Sequence, residues 1–247
     1  MLVVVAGWAA FRQVGAALTL PWSDDWTDAV LKLTFWVAPC AIALRLFGAG
    51  SYREVAAELG LAGRAWVGVA FGLVALVPLL AVMAFAGTPR PVRFDVLVGV
   101  VIVGPVAEEV LFRGWLFRQL SRQAGWPALA AVLVSAIAFG LAHIHNLSSY
   151  AFHSRELTTM LSAAAVGVLL AWMVWRWNSL WPAIGLHAVM NLSWQLFGGP
   201  ALAANSAADA GTNLTNAARL ATVAIAVAVT WIGTRRRAVK EAKWVSV

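Results

Sequence analysis

Charge is scarce in this chain. Only 12% of its 247 residues are Asp, Glu, Lys or Arg, whereas 62% are hydrophobic, and the mean hydropathy is +0.79. Soluble domains are about a quarter charged and about half apolar, so a soluble globular enzyme is excluded. There is one cysteine, Cys40, inside an apolar run. That excludes a disulfide framework and any cysteine-based zinc cluster. The first 20 residues carry a single charge, Arg12. A cleaved signal peptide needs a basic start, so the first apolar run is expected to stay as a helix. No internal repeat and no low-complexity linker is visible, and too few polar residues remain for a second, soluble domain.

What the chain does have is long apolar runs broken by Pro, Gly and charge. They lie near residues 2–20, 28–48, 66–86, 96–117, 126–145, 157–176, 180–197 and 216–234. A crossing needs about 20 apolar residues, so eight crossings would use roughly 160, in keeping with the hydrophobic fraction. The expected fold is all-α: a polytopic membrane protein of about eight transmembrane helices, one domain over 1–247, with a polar cavity between central helices. Residues 51–62 differ, mixing Arg53, Glu54 and Glu58 with Val55, Leu59 and Leu61. They read as a short amphipathic helix in the membrane interface.

The net charge is +7. In a soluble protein such a balance suggests nucleic acid. Here the bases sit in loops between spans, which fits topology signals and anionic lipid better, and no nucleic-acid partner is expected. The loops after spans two, four and six, with the tail, hold Arg45, Arg53, Arg64, Arg118, Arg122, Arg176, Arg235, Arg236, Arg237, Lys240 and Lys243. The opposite loops hold Arg90, Arg93 and Arg155, with Lys32 and Arg219 near span ends, and also Asp24, Asp25 and Asp28. Basic loops stay in the cytoplasm, so both termini are expected there. Trp22, Trp26, Trp66, Trp126, Trp175, Trp177 and Trp181 lie near span ends, where aromatic belts form.

Ionisable groups at membrane depth cost several kcal/mol unless paired or hydrated, so each is a candidate functional residue. Three clusters qualify. In the first, GPVAEEVLFRG, Glu108 and Glu109 follow a strongly apolar run. On a helix they point about 100° apart and can serve two roles. Arg113 stands four residues after Glu109, the favourable spacing and order for a helical ion pair. Arg113 is expected to hold Glu109, leaving Glu108 as the free acid and a general base for water. A plain alternative is a buried salt-bridge network. In the second cluster, AIAFGLAHIHN, Phe139 and His143 share one helix face. His145 points elsewhere, and it and His153 read as ordinary interface or loop residues. In the third, IGLHAVMNLSW, His187 and Asn191 share a face, and interhelical hydrogen bonding is the competing explanation. Together these residues are parts for hydrolysis by activated water. Glu108 and His143 would orient and deprotonate it, while His187 and Asn191 would bind the developing oxyanion.

Glu-Glu-x-x-x-Arg (Glu108, Glu109, Arg113), Phe-x-x-x-His (Phe139, His143) and His-x-x-x-Asn (His187, Asn191), in order on successive spans, resemble the CPBP intramembrane proteases. That family includes the CAAX prenyl endopeptidases of the Ras-converting type and the Abi or bacteriocin-processing proteins. The resemblance covers about 95–195, the expected catalytic core. It implies an eight-helix fold with a conical cavity open to the cytosol, with Glu108 activating water alongside His143. His187 and Asn191 would form the oxyanion site, and Glu109, Arg113 and Phe139 would support. It leaves metal dependence open. Catalytic zinc uses three N or O ligands plus water, which Glu108, His143 and His187 could supply. Span four lacks a His-Glu-x-x-His pair, so no cofactor is expected, with zinc as the alternative. The expected partners are membrane lipid and a membrane-associated peptide or lipidated protein, in a bacterial inner membrane. The competing functions are a non-catalytic immunity or scaffold protein and a proton-coupled transporter. The transporter lacks the visible repeat that many carriers show.

Overall fold

The computed structural model describes residues 24–48, 50–86, 89–143, 154–197 and 210–244. The apolar run at 2–20 and His145 and His153 lie outside the described residues. Among the described residues there is no strand, and the protein is an all-α polytopic membrane protein. Lipid cannot hydrogen-bond a bare backbone, so each span satisfies its own peptide groups as a helix. The helices are α1 (24–47), α2 (Tyr52–Leu59), α3 (Ala65–Ala86), α4 (94–123), α5 (Ala128–Ala142), α6 (Ser154–Trp177), α7 (Trp181–Phe197) and α8 (Ala210–Trp244). Within α1, α3, α6 and α8 lie stretches long and apolar enough to cross a membrane. The polar side chains expected from the motifs fall instead on α4, α5 and α7.

Side-chain pattern decides which face each helix buries. On α5, Leu129, Leu133, Ile137 and Leu141 recur every fourth residue and are exposed, as a lipid-facing stripe should be. The opposite face of small residues is buried, including Ala131, Ser135, Ala136 and Gly140. That face lies so close to α6 that a Cβ on Gly140 would stand 2.7 Å from the Met160 carbonyl oxygen. Such small-residue contacts let helices associate where lipid removes the hydrophobic drive between them.

Two prolines shape the centre. Proline lacks an N–H and crowds the carbonyl four residues back. Just before Pro39 in α1, the stretch Leu33–Val37 is wound wider, and the Ala38 N–H reaches back five residues to Leu33. Just before Pro105 in α4, Leu97–Val103 does the same, with the Gly104 N–H bonded to the Gly99 carbonyl. Wide turns of this kind are rare and change which face the next residues present. At Gly99 the two helices nearly touch, since a Cβ there would lie 2.7 Å from the Asp25 carbonyl oxygen.

At the end of the bundle reached by the C-terminal ends of α1 and α4, helix α2 closes the floor. The amphipathic segment expected at 51–62 is this helix. Ser51 and Glu54 form a reciprocal capping box at its start, and Gly60 ends it at φ 82°. Its buried Val55 and Leu59 join Cys40, Leu44, Phe117 and Leu120 in the core.

Candidate active site

All seven residues singled out by the motifs lie in one neighbourhood, around a cavity of about 310 Å³ between α1, α4, α5 and α7. Glu109 and Arg113 form its foundation, and neither side chain is exposed. Arg113 Nη1 donates to Glu109 Oε1 at 2.9 Å, and Nη2 donates to the Gly167 carbonyl at 3.2 Å. The guanidinium also lies 4.2 Å from the centre of the Phe139 ring, a cation–π contact strengthened by the absence of water. Phe139 in turn packs edge-on against His143 at 4.6 Å and His187 at 5.7 Å. It thereby fixes the tilt of both imidazoles.

His187 spans the two acids. Its Nδ1 lies 2.9 Å from Glu109 Oε1, and its Nε2 lies 3.6 Å from Glu108 Oε2. A carboxylate paired to Arg113 can only accept, so Nδ1 donates to Glu109 and Nε2 turns to Glu108 and the cavity. His143 stands one residue past the end of α5. Its Nδ1 donates to the Phe139 carbonyl at 2.8 Å, which leaves Nε2 as the acceptor of the neutral ring. Asn191 lines the cavity and donates through Nδ2 to the Val100 carbonyl at 3.0 Å. A smaller apolar cavity of about 110 Å³ adjoins and shares His143, His187 and Asn191. A roomier hollow of about 470 Å³ at the opposite end of the bundle has no acid or histidine in its lining.

One expectation needs correcting. Glu108 is not a free acid. Lys32, on α1, donates to Glu108 Oε1 at 2.9 Å and lies 2.8 Å from Asp28 Oδ2. Helical spacing along α4 could not show this, because the partner comes from a helix 76 positions away. The available signal was Lys32 itself, a lysine within an apolar run and one turn from Asp28. Near a span end, such a lysine reads equally well as a topology signal.

An ammonium already occupies Glu108 Oε1. Among the described residues no group of three or more His, Cys, Asp or Glu side chains is placed to hold a metal.

The motifs sit where the comparisons with known proteins fall. Residues 91–193, covering α4 to α7 almost entirely, match the family described as type II CAAX prenyl endopeptidase Rce1-like. Over an alignment 100 positions long, which covers 37% of this chain, it is 28% identical to "Probable CAAX prenyl protease 2" of Schizosaccharomyces pombe. The match covers 36% of that protein, so the chain spans little more than a third of the curated relative. No solved structure matches. The paired glutamates, the two histidines and the asparagine lie on the matched helices, so this part of the chain is similar to the CAAX prenyl endopeptidases.

Proposed function

We propose that this protein is an intramembrane endopeptidase that cuts a membrane-associated peptide with water activated at Glu108. The observation that supports this most is how Glu108 is held. One carboxylate oxygen is tied to Lys32, and the other faces His187 at the wall of a polar cavity. A base so oriented can accept a proton only through Oε2, which sets where the attacking water must sit.

The steps follow from the donors and acceptors. Water donates one proton to Glu108 Oε2, with His143 Nε2 as the second acceptor steering it. Its oxygen attacks the scissile carbonyl, whose π electrons move onto oxygen. Asn191 has a second Nδ2 hydrogen besides the one given to Val100 and offers it to this oxyanion. His187, when protonated at both nitrogens, offers Nε2–H as well. Fixed donors of this kind, aimed at developing charge in a dry site, are commonly worth about 10²–10³ in rate each. When the carbonyl re-forms, the C–N bond breaks and the proton held by Glu108 passes to the leaving nitrogen. Glu109 and Arg113 stay fixed beneath His187 and orient it.

The substrate class follows from the setting: a CAAX-type C-terminal peptide or a leader peptide lying in or against the bilayer. The deciding experiment is incubation of purified protein and of Glu108→Gln with a panel of membrane peptides, with cuts mapped by mass spectrometry with and without chelator. The expected result is cleavage by the wild type, unaffected by chelator, and none by a folded Glu108→Gln variant. Retained cleavage in that variant would reject the assignment of the base. Loss of cleavage on chelation would restore the zinc scheme.

A further inference from the structure

The cavity has a sidedness that the motifs do not reveal. Its lining includes Asp28, Val100, His143, Asn191, Trp194 and Gln195. Asp28 is the fifth residue of α1 and Val100 the seventh of α4, while Gln195 is two residues from the end of α7 and His143 just beyond α5. All four belong to the same end of the bundle. The contacts there agree: Arg90 N–H bonds the Leu196 carbonyl, and Arg93 lies 3.9 Å from Asp25. The inner lining is Trp36 and Phe112. Beyond them lies packed core, closed by α2, whose Leu59 carbonyl oxygen would stand 3.0 Å from a Cβ on Gly114.

The opposite end carries the bases. Arg45, Arg53, Arg64, Arg118, Arg122 and Arg176 all lie there, and so do the positions of Arg235, Arg236, Arg237, Lys240 and Lys243 on α8. Cross-contacts tie this end together. Leu180 N–H bonds the Gly60 carbonyl, Arg122 bonds Asn178, and Arg176 bonds Thr234. The cavity end holds Arg90, Arg93, Arg155 and Arg219, with Lys32 engaged inside the cavity, and it also holds Asp24, Asp25, Asp28 and Asp95. Short loops rich in Lys and Arg remain cytoplasmic, and acids contribute little to that choice.

We infer that the cavity opens on the face of the membrane away from the cytoplasm. The substrate is then a membrane peptide that has already been carried across, presented from the outer leaflet. This is the reverse of the cytosolic mouth that the family resemblance implies. The substrate class rests on the endopeptidase reading above; the direction of the mouth does not. Of the two substrate types proposed above, this leaves the leader peptide, because a protein lipidated at its C-terminus in the cytosol cannot reach the site from its own side.

Thiol labelling tests it. Cys40 is fully buried, so the unaltered chain serves as the unlabelled control. Arg90→Cys and Gln195→Cys report the cavity end, and Ala62→Cys reports the basic end. Spheroplasts are treated with a charged, membrane-impermeant maleimide before and after lysis. The expected result is label on Arg90→Cys and Gln195→Cys in intact spheroplasts, with label on Ala62→Cys only after lysis. The reverse pattern for Arg90→Cys and Ala62→Cys overturns the orientation. Label reaching Gln195→Cys only after lysis, or not at all, overturns the outward mouth. Should Gln195→Cys fail to accumulate, Trp194→Cys takes its place under the same criteria. Labelling reads position whether or not a peptide is cut, so its failure is separable from that of the Glu108→Gln test.

Discussion

Helices α3 and α7 meet along a seam of almost no side chains, whereas α1, α4 and α7 meet around six charged or ionisable ones. At the seam, a Cβ on Gly185 would lie 2.2 Å from the Gly68 carbonyl oxygen, and one on Gly68 would lie 2.3 Å from that of Trp181. Backbone rests on backbone, with Gly72 one turn further along. At the polar cluster, Asp28, Lys32, Glu108, His187 and Glu109 touch in a continuous chain, and Arg113 anchors its far end. Apolar side chains gain little by leaving lipid for one another, so close packing and polar contacts must hold a membrane bundle together. This protein uses the first to fix the frame and the second to build the candidate site.

The contrast yields graded expectations. Gly185→Val has the largest effect, because the obstruction at the seam is backbone and cannot turn aside. Overpacking costs about 1–3 kcal/mol even where side chains can shift, so here no folded protein is expected in detergent, as judged by size-exclusion chromatography. Arg113→Met comes next, since it leaves Glu109 buried beside His187 without its cation. Breaking a buried pair from one side costs about 3–5 kcal/mol, read as a lowered unfolding midpoint. Replacing Glu109 as well, in Glu109→Gln/Arg113→Met, should recover part of that loss.

Lys32→Met separates function from frame. It should lower kcat about 100-fold, equivalent to ~2.7 kcal/mol of barrier, with KM nearly unchanged. Lys32→Arg should restore most of the rate, because the carboxylate keeps a donor on the same oxygen. A Lys32→Met enzyme of normal kcat would show that the ion pair serves packing alone. The smallest change is Thr222→Val. The Thr222 hydroxyl lies 3.0 Å from both the Ala75 carbonyl on α3 and the Ala218 carbonyl of its own helix, which share its one hydrogen. Interhelical hydrogen bonds in membranes average about 0.6 kcal/mol, so only a slight shift in the unfolding midpoint is expected.

The sequence was most legible where one helix carries the whole message. The spacing of Glu109 and Arg113 foretold their contact, and the spacing of Phe139 and His143 foretold theirs. Hydropathy located the described helices to within a few residues at most ends, because a span must be apolar and of fixed length. The ends of α4 and α8 ran further, past polar residues that hydropathy does not count. Contacts between distant helices stayed hidden. Lys32 meets Glu108, and Asn191 meets the Val100 carbonyl, only once α1, α4 and α7 are side by side. The widened turns were hidden too: Pro39 and Pro105 stood in plain view, but α4 is wound wide again over Val110–Phe117 and Gln119–Gln123, where there is no proline. A proline announces that a helix must yield, without saying whether it bends, breaks or loosens.

That loosening bears on how the protein tolerates change in length. Leu33–Val37 accommodates its slack just past Lys32. Removing one residue from this stretch would let α1 rewind tightly while Asp28 and Lys32 keep the face they present, because the wide turn holds one residue more than an α-helical turn. A deletion in the regular helix that follows, at Ala41 for instance, would instead turn Asp28 and Lys32 by about 100° towards lipid, and Glu108 would lose its partner although no residue of the cluster had been altered. A lone deletion there is thus more damaging than many substitutions, and a compensating insertion a few positions away should undo it.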